Sequence, residues 1–151
     1  MRTKGLVLLL LMLLPAFGGE ALPYAIAVQG PGTAVRAGES FMLRFQVALQ
    51  PGYHIYPSNT QDGIPFTVSL DASKDVQAKG LLTGPKPARF EGAEVYHGTL
   101  LLTQVFVASK GLSPGTVELK GSYQGQVCSE GEGAVCMDIP QTAWRILLDV
   151  E

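Results

Sequence analysis

The sequence predicts an all-β fold, and three observations support this. Apolar and polar residues alternate along several segments, which is the period of a strand with one buried face. The chain contains 18 glycines and 10 prolines, a content typical of short strands joined by tight turns. No window of about 11 residues after the N-terminal segment carries a helical stripe of apolar residues. Roughly seven such strands, separated by turn residues, indicate an immunoglobulin-like antiparallel β-sandwich.

Residues 1–21 have the pattern of a secretory signal peptide. Positive charges at Arg2 and Lys4 precede an apolar run, and small residues follow it, as in the segments that direct export. The run is shorter than the roughly 20 apolar residues that a membrane-spanning helix needs. We therefore expect cleavage of this segment, a periplasmic location and a single mature domain over residues 22–151.

Composition and charge narrow the classes of partner. The formal net charge is -2 and only 16% of the residues are charged. Without a run of lysines and arginines or a basic patch, nucleic acid is not an expected partner. We expect a monomer whose single core is large enough for independent folding, and we predict no cofactor.

The predicted strands are assigned in order along the chain. The clearest one, Ser40–Gln50, has an apolar residue at every second position from Phe41 to Leu49, and the turn Pro51-Gly52 ends it. Gly98 is expected to bend the longest strand. The segment Leu81–Gly92 is predicted to be an ordered loop without regular structure. The other predicted strands are Tyr24–Val28, Tyr53–Tyr56, Pro65–Leu70, Val95–Ala108, Thr116–Gln124 and Trp144–Val150.

The chain has only two cysteines, Cys128 and Cys136, on either side of a glycine-rich loop. If the flanking segments pair as a hairpin, the two residues fall near its end, within disulfide reach. The bond would close a ring of nine residues and contribute roughly 2–3 kcal/mol. The residues alone leave two interpretations open, a structural staple and a redox centre. Because the loop is acidic and has no neighbouring lysine or arginine, a reactive pair would depend on partner docking for activation.

Three stretches resemble the periplasmic N-terminal (alpha) domain of the thiol:disulfide interchange protein DsbD. The first is Pro51–Pro57, with the letters PGYHIYP, which is similar to that family's Gly-Tyr-x-x-Tyr segment. The second is Phe90–Tyr96, FEGAEVY, which is similar to the family's cap loop. The third is Tyr123-Gln-Gly followed by two cysteines and a proline, which is similar to the redox segment. The three occur in the family's order and together span most of the chain after the signal.

The resemblance implies an immunoglobulin-like fold and a protein-disulfide reductase type of redox transfer. A membrane-embedded thiol transporter would donate electrons, and the clients would be disulfide isomerases or thioredoxin-like proteins of cytochrome c maturation. Cys136 would be the nucleophile and Cys128 the resolving residue. Phe90 would cap the disulfide, with Tyr53 and Tyr56 beside the cysteines.

The sequence departs from the family pattern around the cysteines. Two extra residues precede Cys128, and seven instead of five separate the cysteines. Insertions of two residues preserve the facing of strand side chains, so a longer hairpin is expected. Acidic residues that precede the cap phenylalanine in the family are replaced here by Ala88 and Arg89. Arg89 is therefore a candidate source of positive charge at the site.

Two alternative functions remain beside redox transfer. One is a non-catalytic sandwich that binds a partner at a sheet edge, with the disulfide as a staple. The other is copper binding, because His54, His97, the cysteines and Met137 are ligand types that copper uses. No His-x-His spacing supports it, so no metal site is predicted, and both histidines are expected at the surface or at strand ends.

Overall fold

Ten β-strands form the regular structure of residues 20–151, the part of the chain that the computed structural model describes. The predicted signal peptide lies almost wholly outside these residues. In the described part, no helix is long and apolar enough to cross a membrane. The strands are β1 Tyr24–Gln29, β2 Ser40–Leu49, β3 Tyr53–Ile55, β4 Thr67–Leu70, β5 Val76–Thr83, β6 Ala88–Phe90, β7 Ala93–Val95, β8 Thr99–Ala108, β9 Gly115–Ser129 and β10 Cys136–Val150.

The strands form two four-stranded antiparallel sheets and a separate hairpin. One sheet has the order β1-β2-β8-β5. In the other, β9 pairs with β10, with β3 and with β4. The hairpin consists of β6 and β7. The predicted all-β, immunoglobulin-like class is confirmed.

The core lies between the inner faces of the two sheets. In β2, Leu43, Phe45 and Val47 are fully buried, as the alternation in the sequence predicts. The Phe45 ring meets Trp144 of β10 edge to face, with ring centroids 5.8 Å apart, so the two sheets are in direct contact. Burying a side chain of this size stabilises the fold by roughly 1.5–3 kcal/mol.

The prediction that Leu81–Gly92 is a loop without regular structure is wrong at both ends and holds only for residues 84–87. Residues 76–83 form β5, and the β6–β7 hairpin begins at Ala88. Strand β5 is at the edge of its sheet, and only Val76 and Leu82 in it are buried. An edge strand that is so exposed needs no alternation of apolar residues, and this is why the pattern did not reveal it. The predicted strand Val95–Ala108 is divided into β7 and β8, and Gly98 between them has a positive φ of 68°, in agreement with the predicted bend.

The long β9–β10 hairpin carries the cysteines at its far end. Its register runs from Gly115 opposite Val150 to Cys128 opposite Cys136. The register shifts between Ile139 and Thr142, where Pro140 has no N–H to donate to the ladder. Both strands are longer than predicted, because they continue through residues that carry no apolar alternation.

Candidate functional site

A disulfide joins Cys128 and Cys136 directly across the end of the β9–β10 hairpin. The two Cα atoms are 4.0 Å apart, and the residues face each other in the strand register. The two cysteines differ in accessibility: Cys128 is only 3% exposed, whereas Cys136 is exposed. One sulfur-bearing residue therefore faces solvent, and the other is enclosed.

A third strand, β3, adds His54 to this cysteine pair. Cys136, Cys128 and His54 then form a row of side chains across three neighbouring strands. Strand β3 pairs with β9 so that His54 lies opposite Cys128, and directly opposed residues project from the same face of a sheet. The neighbouring pair, Ile55 and Val127, is fully buried in the core on the inner face. Because His54 is also only 3% exposed, the outer face must be covered at this point as well.

The β6–β7 hairpin and Tyr56 provide this cover. The half-buried Phe90 ring lies 5.2 Å from the His54 ring, centroid to centroid. The Tyr56 ring meets the same imidazole edge to face at 5.2 Å. Two backbone hydrogen bonds between Ile55 and Tyr96, of 3.1 and 2.9 Å, tie the end of the hairpin to β3. Phe90 thus lies over the histidine that is adjacent to the disulfide in the row.

A carboxylate links two histidines beside the disulfide. Oε1 of Glu130 accepts hydrogen bonds from Nδ1 of His54, at 2.8 Å, and from Nε2 of His97, at 2.5 Å, since a carboxylate can only accept. Burial acts to raise the pKa of the Glu130 carboxyl, but hydrogen bonds and charge from His97 and His54 outweigh it and hold the pKa below its ordinary value. Glu130 is therefore ionised at neutral pH.

This cluster also presents metal-ligand chemistry. One nitrogen of each histidine and one oxygen of Glu130 lie within 4.8 Å of one another. The other ring nitrogen of His54, Nε2, is buried and has no hydrogen-bond partner among residues 20–151. Three separate segments of the chain supply the three side chains.

Two residues of the predicted site have their contacts elsewhere. Tyr53 alternates with His54 along β3 and packs against the hydrophobic core, on the opposite face of the sheet. Arg89 is exposed, and its Nη2 donates a 2.6 Å hydrogen bond to the carbonyl oxygen of Gly92 inside the β6–β7 hairpin. Neither residue belongs to the row that contains the cysteines.

The prediction that His54 lies at the surface or at a strand end is wrong, since the residue is only 3% exposed, and Glu130 was not among the predicted site residues. His54 is buried because the β6–β7 hairpin covers the outer face of β3. The sequence does give one indication of Glu130. It comes two residues after Cys128, and residues at an even spacing tend to lie on the same face of a strand. The pairing of β3 with β9, which brings His54 to this face, has no local signature in the sequence.

The chain matches one family model and is similar in structure to several solved proteins. The family model described as "Thiol:disulfide interchange protein DsbD, N-terminal" matches residues 27–149. The N-terminal periplasmic domain of ScsB from Proteus mirabilis has a similar fold, with a TM-score of 0.55 and 16% identity over 92% of this chain. The chain spans 49% of that structure. The N-terminal domain of DsbD from Neisseria meningitidis in the reduced form is 17% identical, with a TM-score of 0.38 over 84% of this chain and 85% of that one. No curated protein matches the chain.

Proposed function

Because the chain belongs to the family of the DsbD N-terminal domain, we propose that it transfers reducing equivalents in the periplasm by reversible exchange at Cys128 and Cys136. Its electron donor is a membrane-embedded thiol transporter. Its clients are oxidised disulfide isomerases or thioredoxin-like proteins of cytochrome c maturation. The family as a whole carries out thiol–disulfide interchange. The electron donor, the clients and the direction of electron flow are proposed here for this chain.

The observation that carries the proposal is the unequal exposure of the two cysteines. A partner can reach Cys136, which is exposed, but not Cys128, which is 3% exposed. Thiol–disulfide exchange requires an accessible sulfur for the partner and a second sulfur held close for resolution. The hairpin supplies both, since Cys128 stands directly opposite Cys136 in the register. This arrangement supports a nucleophilic role for Cys136 and a resolving role for Cys128.

The exchange is a balanced two-electron step. In the reduced domain, the Cys136 thiolate attacks one sulfur of the client disulfide, and the other client sulfur leaves as a thiolate. The Cys128 thiolate then attacks Cys136 Sγ, which breaks the mixed disulfide and releases the dithiol client. The Cys128–Cys136 disulfide is thereby formed. To restore the dithiol, one donor thiolate attacks Sγ of the exposed residue Cys136 and Cys128 leaves as a thiolate; the donor's second thiolate then attacks the donor sulfur of this mixed disulfide, which releases Cys136 and leaves the donor as a disulfide.

The cover over the row gives Phe90 and Tyr56 their proposed roles. Phe90 packs on His54, the neighbour of Cys128 in the row, and Tyr56 packs on the same imidazole. A docking partner would displace the β6–β7 hairpin and open the row. Phe90 then acts as a cap that limits access of small thiols and unrelated disulfides to the Cys128 side of the pair.

The reduction potential of the pair tests this function. The purified protein is equilibrated in glutathione and dithiothreitol buffers, and free thiols are counted by alkylation and mass shift. A potential of about -200 to -270 mV, the range of glutaredoxins and thioredoxin, supports electron transfer. A value below about -300 mV is typical of structural disulfides. Such a value would favour the alternative, a partner-binding sandwich with a staple.

The separate roles of the two cysteines are tested by matched serine variants. Cys128→Ser leaves the exposed Cys136 free, and we expect it to accumulate a mixed disulfide with oxidised glutathione. Cys136→Ser leaves only the enclosed Cys128 and should form this adduct much more slowly. Equal rates for the two variants would contradict the assignment of Cys136 as the residue that partners attack.

A further inference from the structure

Two imidazole nitrogens converge on one carboxylate oxygen beside the disulfide. His54 Nδ1 lies 2.8 Å and His97 Nε2 lies 2.5 Å from the same Oε1 of Glu130. We propose that His54, His97 and Glu130 form a binding site for a divalent transition-metal ion of the Zn²⁺ class. The site does not depend on the exchange function, because all three ligands are present in the oxidised domain.

The two separations between the Glu130 oxygen and the imidazole nitrogens are close to those that such an ion needs, and all three ligand atoms lie within 4.8 Å of one another. Zn²⁺ binds histidine nitrogen and carboxylate oxygen at about 2.0–2.2 Å in a tetrahedral arrangement, which places neighbouring ligand atoms about 3.3 Å apart. The Glu130 oxygen must therefore move away from each imidazole nitrogen by less than about 1 Å. The ion then takes the place of the two protons in the hydrogen bonds from His54 and His97 to Glu130, and it binds all three side chains.

Burial fixes part of the site before any ion binds. His54 is 3% exposed and its ring is packed between Phe90 and Tyr56. The Glu130 side chain is 20% exposed and that of His97 is 38% exposed. Ligands whose rotamers are fixed by packing lose little conformational freedom on binding, and the more exposed His97 leaves a path by which the ion can enter.

The donor set selects the class of ion. Two imidazoles and one carboxylate are the protein ligands of several catalytic zinc sites, which leave a fourth position open. Mg²⁺ and Ca²⁺ prefer oxygen ligands throughout and are not expected to compete. Cys128 lies opposite His54 in the register, so reduction of the disulfide frees a cysteine sulfur in the same row, and cysteine sulfur that has lost its proton to the ion is a preferred zinc ligand. The reduced protein should therefore bind Zn²⁺ with a lower Kd than the oxidised protein.

Calorimetric titration of the oxidised protein with Zn²⁺ tests the site. We expect saturable binding of one ion per chain, and loss of this binding in His97→Ala and Glu130→Gln. Glu132→Gln is the matched control, because Glu132 is an exposed carboxylate in the same loop, outside the cluster, and its loss removes the same charge. This variant should bind as the parent does. Circular dichroism and a thermal melt establish that each variant is folded.

Three results would overturn the proposal. The first is an oxidised parent protein that binds no Zn²⁺ with unit stoichiometry. The second is a Glu132→Gln variant that loses as much binding as Glu130→Gln, since acidic charge alone would then be responsible. The third is unchanged NMR shifts of the His54 and His97 ring nitrogens at saturating Zn²⁺, a readout that needs no variant to fold. Equal Kd values for reduced and oxidised protein would overturn the assignment of Cys128 as an additional ligand.

Discussion

Reduction of the Cys128–Cys136 disulfide is expected to leave the domain folded, with a modest loss of stability. The bond closes a loop of nine residues, since the sequence separation is 8. On the chain-entropy model, opening a loop of this length lowers the free energy of unfolding by about 2.6 kcal/mol at 25 °C. For a domain of about 130 residues, this corresponds to a fall in Tm of roughly 9 °C.

The location of the disulfide supports this expectation. It lies at the far end of the β9–β10 hairpin, whereas Phe45, Phe66 and Phe106 are fully buried in the core between the sheets. The hairpin continues from the cysteines to Val150 through an antiparallel ladder that does not need the covalent bond. A redox carrier must remain folded in both states, so this property is a condition of the proposed function.

Urea unfolding of the oxidised and the phosphine-reduced protein measures the difference. Both transitions should be cooperative and have similar m-values, because reduction changes little of the surface that is exposed on unfolding. A loss of more than about 5 kcal/mol, at the upper limit for a disulfide, or a reduced protein without a cooperative transition, would refute the reasoning. The bond would then be a staple that the fold requires.

Other substitutions test the cap, the sheet packing and the partly buried carboxylate of Glu130. Phe90→Ala should accelerate reduction of the disulfide by dithiothreitol severalfold, and an unchanged rate would contradict its role as a cap. Gly121→Ala should lower the free energy of unfolding, measured in urea, by about 1–3 kcal/mol, because the added Cβ would overlap the carbonyl oxygen of Ser69. Gly111→Ala is the control, because the new Cβ there meets nothing closer than 3.7 Å. The pKa of Glu130 is lower in the folded protein than in the unfolded chain, so its ionised form stabilises the fold at pH values above the unfolded pKa. This stabilisation is lost as the pH falls through the folded pKa. The difference in free energy of unfolding between the parent and Glu130→Gln should therefore shrink in acid. A difference that does not change with pH in parallel urea titrations would refute the stabilising role of the Glu130 carboxylate.

The strands that the sequence reveals are those with one buried face. In β2, every second residue from Phe41 to Leu49 is buried, so the alternation follows directly from the contact with the opposite sheet. Strand β5 has two buried residues in eight, and its formation depends on hydrogen bonds to β8. Backbone pairing of this kind leaves little trace in the order of side chains, and local patterns cannot reveal it.

The candidate site divides in the same way between local and distant features. The hairpin that joins Cys128 to Cys136 is local, and the glycines between them indicate it. The contact between His54 and Glu130 joins residues 76 positions apart, and it exists only because β3 pairs with β9. The resemblance to a known family indicated Phe90 as a cap, but the histidine on which Phe90 packs became visible only in the folded structure.

The histidines beside the disulfide bear on how the exchange is controlled. A thiol pKa falls next to a positive neighbour, and His54 is the nearest residue of the row that could carry positive charge. Its Nδ1 is hydrogen-bonded to the ionised Glu130, which would offset such a charge and weaken its effect on Cys128. We therefore expect access to govern the reactivity of the pair more than a lowered thiol pKa. If Phe90 covers the row equally in both redox states, its removal should change the rates of reduction and oxidation by the same factor and leave the reduction potential unchanged.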